Sequence, residues 1–235
     1  MRMAMLATAD MMSSSRGSMF TRITARPILL SNREAPLRGK YILYAGEGDS
    51  GIQMRTEDRE EVLRALRAAV AMLEQSMDAS LIPEVGTNIA YAIPGARDTE
   101  DVAAVQGRVV RLAGKAHPVG DVAFGASDHV ARIVLTAMKF DPAVRSAANI
   151  RYNPAVVEIV EGLMLEVCSF SRADEPPGVR TMDWGVASCC RSGVPDVIYD
   201  RGAVGKEAMV RLLGERPVDV ANHILKISRA LDRQG

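Results

Sequence analysis

The chain has 235 residues, enough for one large domain or one domain with a tail. Apolar residues make up 48% and charged residues 25%, which excludes a wholly disordered chain. Twenty-nine Lys and Arg balance 29 Asp and Glu. No net positive field draws the chain to nucleic acid or acidic membranes, although a few arginines in a cleft can still make a local anion site.

No run of about 18 apolar residues is present, which argues against a spanning helix. Met1 to Met19 is rich in Met, Ser and Ala and lacks an apolar stretch of secretory type. Residues 1–27 therefore read as a disordered leader, and 28–235 as a single domain. The three cysteines are Cys168, Cys189 and Cys190. An odd count with two adjacent fits neither a disulfide framework nor a zinc spacing. Cys189 and Cys190 read as small apolar residues on a helix, in a reducing compartment.

In chain order, Ile28 to Ser31 and Tyr41 to Ala45 are short strand-like runs. Thr56 is the expected N-cap of a helix, with acidic residues in its first turns and Leu63, Leu66, Val70, Leu73 and Met77 on one stripe. Ile89 to Ile93 predicts a strand, and Gly107 to Ala113 another. Ser127 or Asp128 caps a helix carrying Val130, Val134, Ala137 and Met138. Pro142 opens a short helix and Asn149 to Tyr152 is a strand. Pro154 takes the first position of a helix reaching about Leu165. Glu166 to Phe170 predicts a strand, Trp184 to Arg191 lies on a helix, and Val194 to Tyr199 and Glu207 to Leu213 are strands. Pro217 opens a last helix with Val220, Ile224, Ile227 and Leu231 aligned. Alternating strands and helices predict an α/β layered domain. Several connections are too short for a crossover helix, so the sheet is expected to be mixed.

The loop from Tyr199 to Glu207 follows an apolar strand and holds Asp200, Arg201, Gly202, Gly205 and Lys206. Its glycines let backbone N–H groups approach an anion, and its cations add charge. It is not a Walker A loop, and from the loop alone a solvent-facing polar hairpin is as good a reading. Gly125, Ala126 and Ser127 lead into a helix start that suits phosphate, with His129 in the first turn as hydrogen-bond donor or general acid. An exposed histidine beside an N-cap is equally compatible. Arg108 follows a glycine on the predicted strand, and Arg151 sits beside Asn149; either is an ion-pair partner or a diphosphate fork. Glu84 and Asn88 lie in a turn that caps a strand or faces a ligand. No metal-ligand spacing and no nucleophile motif occurs.

Taken in order, Ile82 to Ile89, Gly107 to Val110, Phe124 to Arg132, Asn149 to Tyr152, Thr181 to Gly185 and Pro195 to Glu207 resemble the ThiN family of thiamine-phosphate synthases. The likeness covers about residues 65–230. It implies a three-layer α/β/α domain with a mixed, mostly antiparallel sheet, similar to class II aldolase-like folds. The family occurs fused behind a pyrimidine kinase, for which this chain has no room, as a stand-alone enzyme, and as the sensor half of archaeal regulators. The implied reaction condenses hydroxymethylpyrimidine diphosphate with hydroxyethylthiazole phosphate, giving thiamine phosphate and diphosphate.

The resemblance carries the catalytic pair over to Arg108 and His129. Glu84, Asn88, Gly125, Ala126, Ser127, Asn149, Arg151, Asp200, Arg201, Gly202, Gly205 and Lys206 are expected substrate contacts. Asp128 stands where the family pattern often has serine. No tightly bound cofactor is implied, with Mg²⁺ accompanying the diphosphate. The partners are small-molecule substrates, not nucleic acid or membrane, in a cytoplasmic enzyme compatible with a homodimer. The alternative is a non-catalytic thiamine-phosphate sensor acting in transcription. Against it, one isolated helix near residues 56–77 makes no helix-turn-helix pair.

Overall fold

The computed structural model describes residues 50–175 and 181–233, all within the unit Gly46–Gly235. The elements in chain order are α1 (Ser50–Ser76), β1 (Ile89–Ala92), β2 (Val102–Val105), β3 (Val109–Leu112), β4 (Lys115–Pro118) and β5 (Val122–Phe124). They continue with α2 (Asp128–Met138), β6 (Ser146–Arg151), α3 (Pro154–Gly162) and β7 (Val167–Ser169). The last are α4 (Thr181–Cys189), β8 (Val197–Asp200), β9 (Met209–Gly214) and α5 (Pro217–Asp232). Seven strands form one sheet in the order β5-β2-β1-β6-β9-β8-β7, and β3 and β4 make a separate hairpin. Every pairing in the large sheet is antiparallel except β7 with β8. The α/β class and the mixed, mostly antiparallel sheet are as expected.

The sheet is buried on both faces, so its strands read as continuous apolar runs rather than alternating ones. One face packs Ile89, Ile150, Val210 and Leu212 against Leu66 and Leu73 of α1 and Ile224 of α5. The other packs Ala90, Ala104, Ala147, Ile198 and Leu213 against Ile133 and Val134 of α2 and Val186 of α4. Alanines on this second face let α2 approach closely. These two cores give the three layers α/β/α. Alternation along β6, β8 and β9 sends Asn149, Asp200 and Arg211 to the side of α2 and α4.

Several expectations are corrected. The first helix begins at Ser50, so Thr56 lies inside it and is not its N-cap. No proline interrupts residues 50–56, and the helix extends toward the N-terminus. Gly107 to Ala113 is not one strand: Gly107 and Arg108 both have positive φ, and only Val109–Leu112 is extended. Pro142 opens a turn, not a helix. The strands β2, β4 and β5 escaped notice because Val102-Ala-Ala-Val and the polar β4 lack the β-branched pattern of a strand. Cys168 and Cys189 form a disulfide across 21 residues, with Cα atoms 5.8 Å apart, while Cys190 is a buried free thiol. Cysteine number could not reveal that pairing, which depends on α4 lying beside β7; the argument for a reducing compartment lapses with it. The leader and the runs Ile28 to Ser31 and Tyr41 to Ala45 lie outside the described residues, as does the boundary drawn between 27 and 28.

Among the described glycines, Gly185 on α4 is the most tightly enclosed. A Cβ there would sit 2.4 Å from the Phe170 ring. Phe170 is itself held edge-on by Trp184 at 6.0 Å and lies 5.4 Å from the Arg211 guanidinium. Alanine would improve helix propensity by about 1 kcal/mol, whereas overpacking costs about 1–3 kcal/mol. The clash should win, and Gly185→Ala is expected to lower Tm. A Tm equal to or above wild type in a thermal melt would show that the ring yields.

Candidate active site

A cavity of about 230 Å³ opens where β6 and β9 meet the N-terminus of α2. Its wall includes Arg108, Ser127, His129, Asn149, Arg172, Lys206 and Glu207, with Val85, Gly86, Val130, Gly205 and Met209. Three cations, Arg108, Arg172 and Lys206, face one carboxylate, Glu207. Such a lining selects an anion.

Arg108 reaches the cavity from the turn between β2 and β3. Its backbone is left-handed, φ 70°, a conformation that costs a non-glycine residue roughly 1–2 kcal/mol. Its Nη1 donates to the carbonyl of Val85. Gly86 makes room for the arginine stem: a Cβ there would lie 3.3 Å from Arg108 Cβ and Cδ. His129 lines the same cavity from the start of α2. Ser127 caps α2, its Oγ accepting from Val130 N at 3.4 Å, and this places His129 in the first turn beside the free N–H groups.

The floor is a buried charge cluster. Asp200 is 0% exposed and takes a fork from Arg172, Nε to Oδ1 at 2.6 Å and Nη2 to Oδ2 at 3.1 Å. Arg211, also 0% exposed, donates Nη2 to Oδ2 at 2.7 Å. Desolvation pushes the Asp200 carboxyl up, but its hydrogen bonds and its attraction to the two arginines outweigh this, and it stays ionised below its ordinary range. Desolvation pulls the Arg211 guanidinium down from its ordinary range against the pull of Asp200; a guanidinium starts high enough to remain charged. Glu207 holds the facing turn, accepting from Glu84 N at 3.0 Å and Val85 N at 3.4 Å. Lys206 pairs with Glu175 at 3.4 Å.

Of the residues expected to meet substrate, Arg108, His129, Ser127, Asn149, Gly205 and Lys206 line this cavity. Asn88 is buried behind it and works as a strand clamp. Its Nδ2 donates to Val105 O, and its Oδ1 accepts from Val105 N and Ile89 N. Asp200 lies beneath, and Gly202 wraps it, donating N–H to Oδ1 at 2.8 Å. Glu84 contributes its backbone to the Glu207 contact. Gly125, φ 71°, turns the chain into α2 where a side chain would strike the Glu100 carboxylate. Ala126 packs against the α2 and α4 core, and Arg201 is exposed. Arg151 lines a different, open cleft of about 800 Å³ with Asp78 and Asp232. Those two carboxylates make it a poor host for an anion.

A family model described as thiamine-phosphate synthase ThiN matches residues 65–226. This chain belongs to the ThiN family. It is 40% identical over 193 residues to the bifunctional thiamine biosynthesis protein ThiDN of Methanocaldococcus jannaschii, covering 80% of this chain and 46% of that relative. The chain thus spans about half the length of that protein. It is 40% identical over 172 residues to the thiamine-phosphate synthase ThiN of Methanothermobacter thermautotrophicus, covering 70% of this chain and 90% of the relative. A solved C-terminal domain of phosphomethylpyrimidine kinase superposes with a TM-score of 0.68 at 39% identity, covering 72% of this chain and 99% of that one. An aldolase II superfamily protein from Pseudomonas syringae aligns at 11% identity and a TM-score of 0.47, and nothing about chemistry follows from it.

The lining residues of this ThiN-family site that lie outside the stretches singled out for function are Arg172 and Met209. Arg172 lies in a short 3₁₀ turn, Arg172–Asp174, whose polar sequence reads as an ordinary loop. Only its fork onto Asp200 marks it.

His129 has its pKa lowered from 6.5 to about 4. Desolvation is the largest cause, and the positive charge of Arg211, Arg108 and Arg172 adds to it, against Asp128. The side chain is nevertheless exposed, so desolvation acts on it less than on a core group; the three guanidiniums are the part of the shift that a bound anion would reverse. The imidazole is neutral at neutral pH. Its folded pKa lies below its unfolded value, so its contribution to stability is full above pH 6.5 and declines as pH falls toward 4. An NMR titration should place the His129 midpoint near 4 and move it upward with pyrophosphate bound. A midpoint at 6.5 in the free protein would contradict the charge arrangement.

Arg108 permits a cleaner separation of strain from chemistry. Arg108→Gly and Arg108→Ala both remove the guanidinium, but only glycine relaxes the left-handed backbone. The glycine variant should be more stable than the alanine variant by about 1 kcal/mol, with both equally poor in anion binding. Equal melting temperatures would show that the φ of 70° stores no strain.

Proposed function

We propose that this chain condenses 4-amino-5-hydroxymethyl-2-methylpyrimidine diphosphate with hydroxyethylthiazole phosphate to give thiamine phosphate and diphosphate. The observation that carries the reading is a cation-lined cavity whose wall includes both Arg108 and His129. The two ThiN-named relatives supply the reaction class.

The C–O bond between the pyrimidine methylene and the diphosphate breaks with its electron pair on oxygen. The lone pair of the thiazole nitrogen then makes the new C–N bond to the same methylene. The barrier lies in charge building on the departing oxygens, and fixed donors aimed at them lower it. Arg108 holds the diphosphate and is itself oriented by the Val85 carbonyl. The N–H groups at the start of α2 add a partial positive charge.

His129 enters neutral and can donate one hydrogen bond. As the bound diphosphate offsets the surrounding guanidiniums, the imidazole gains a proton and can serve as acid to the leaving group. Mg²⁺ is assigned to the diphosphate substrate, not to a resident site; among the described residues no group of three or more His, Cys, Asp or Glu side chains clusters for a metal. The partners are the two phosphorylated small molecules. A cytoplasmic location follows from these charged substrates, which do not cross membranes unaided. Among the described residues no helix is long and apolar enough to cross one.

The test is thiamine phosphate formation from the two purified precursors. His129→Ala is expected to lower turnover by roughly 100-fold or more with Tm preserved, since the side chain is solvent-accessible. Undiminished turnover in the variant would remove His129 from the chemistry, and no turnover in the wild-type chain would sink the synthase reading itself.

A further inference from the structure

We infer that Arg172 is a second guanidinium that binds the departing diphosphate, and that Asp200 is the positioning residue that aims it. This deepens the synthase reading and rests on it.

Arg172 lines the cavity that Arg108 and His129 share. Its side chain is only 8% exposed, so water hydrates it poorly and an anion there would be held firmly. Nε and Nη2 are taken by Asp200, and Nη2 also reaches Glu207 O at 3.4 Å. Among the described residues Nη1 has no partner, and it is not among the buried polar atoms lacking one. Nη1 therefore keeps accessible surface on a residue whose other nitrogens are fixed. A guanidinium locked on one edge and open on the other is a preorganised anion donor.

Asp200 cannot itself be a ligand for phosphate. It is fully buried, negatively charged, and its oxygens already accept from Arg172, Arg211 and Gly202 N. Its place at the end of β8, opposite Met209 of β9, makes it the anchor through which the sheet fixes the Arg172 loop. Arg211 has a separate part: buried in the strand, it neutralises Asp200 from below, so that the fork of Arg172 does not have to hold an unbalanced carboxylate.

Isothermal titration of the full chain with inorganic pyrophosphate, joined to steady-state kinetics, tests this. Arg172→Gln leaves the Asp200 to Arg211 pair intact. It should weaken pyrophosphate binding and raise KM for the pyrimidine diphosphate by about tenfold or more, with KM for the thiazole phosphate unchanged. Arg172→Lys should recover part of the loss. Asp200→Asn should lower pyrophosphate affinity in the wild-type background and add little in the Arg172→Gln background. If Asp200→Asn does not fold, Asp200→Glu keeps the charge, displaces the fork, and should show the same non-additive loss. A folded Arg172→Gln chain that binds pyrophosphate as wild type overturns the assignment of Arg172. Independent, multiplying losses overturn the role of Asp200. A wild-type chain that binds pyrophosphate through Arg172 yet makes no thiamine phosphate would refute the synthase reading and leave the anion site standing.

Discussion

The site rests on one buried carboxylate. Asp200 sits at 0% exposure between two guanidiniums, one from the neighbouring strand β9 and one from the turn after β7. A charge there is tolerable only because both partners are in place, and removing either would leave an uncompensated charge in the interior. That requirement ties three parts of the chain together: the β8 and β9 register, the Arg172 turn, and the 200–207 loop that folds around Asp200 through Gly202. It also orders the functional groups by depth. Arg211 and Asp200 balance each other below, while Arg172 and Arg108 present guanidiniums to the cavity above.

Around this anchor the backbone does as much as the side chains. Arg108 occupies a left-handed conformation that a non-glycine residue avoids, and Gly86 opens the space its stem needs. Gly125 turns the chain so that Ser127 can cap α2 and His129 can face the cavity. Asn88 and Asn149 stitch the ends of β1, β2 and β6 by replacing backbone bonds with side-chain amides: Asn149 Oδ1 accepts from Asn88 N at 2.8 Å, and Asn149 Nδ2 donates to Gly86 O at 3.0 Å. The Val85-Gly86 turn that receives Arg108 is thereby fixed to the centre of the sheet. The disulfide between β7 and α4 holds the other flank, beside the turn that carries Arg172.

Much of the fold was legible in the chain. The helical stripe of Leu66, Val70 and Leu73, the Ser127 cap, the Asn149 strand, and the prolines opening α3 and α5 all carry local signals. The alanine-rich β2 and the polar β4 do not, because their strand conformation comes from pairing partners and not from propensity. The candidate site divides in the same way. Arg108 and His129 stood in recognisable motifs, as did the loop ending in Lys206. Arg172 stood in an unremarkable polar turn, and Arg151, equally prominent in the sequence, ended in a cleft with carboxylates on its wall.

What the sequence determined by itself was most of the helices, several strands, the mixed sheet and the family motifs, since periodicity, capping and turn chemistry act within a few residues. Which cations share a cavity, which aspartate is buried between them, and which cysteines meet were decided only by tertiary structure. Those outcomes depend on strand register and helix placement across 20 to 100 residues of chain, distances over which no local pattern constrains the partner. The charge cluster then feeds back on chemistry, because guanidiniums brought from three separate elements add to desolvation in lowering the pKa of His129.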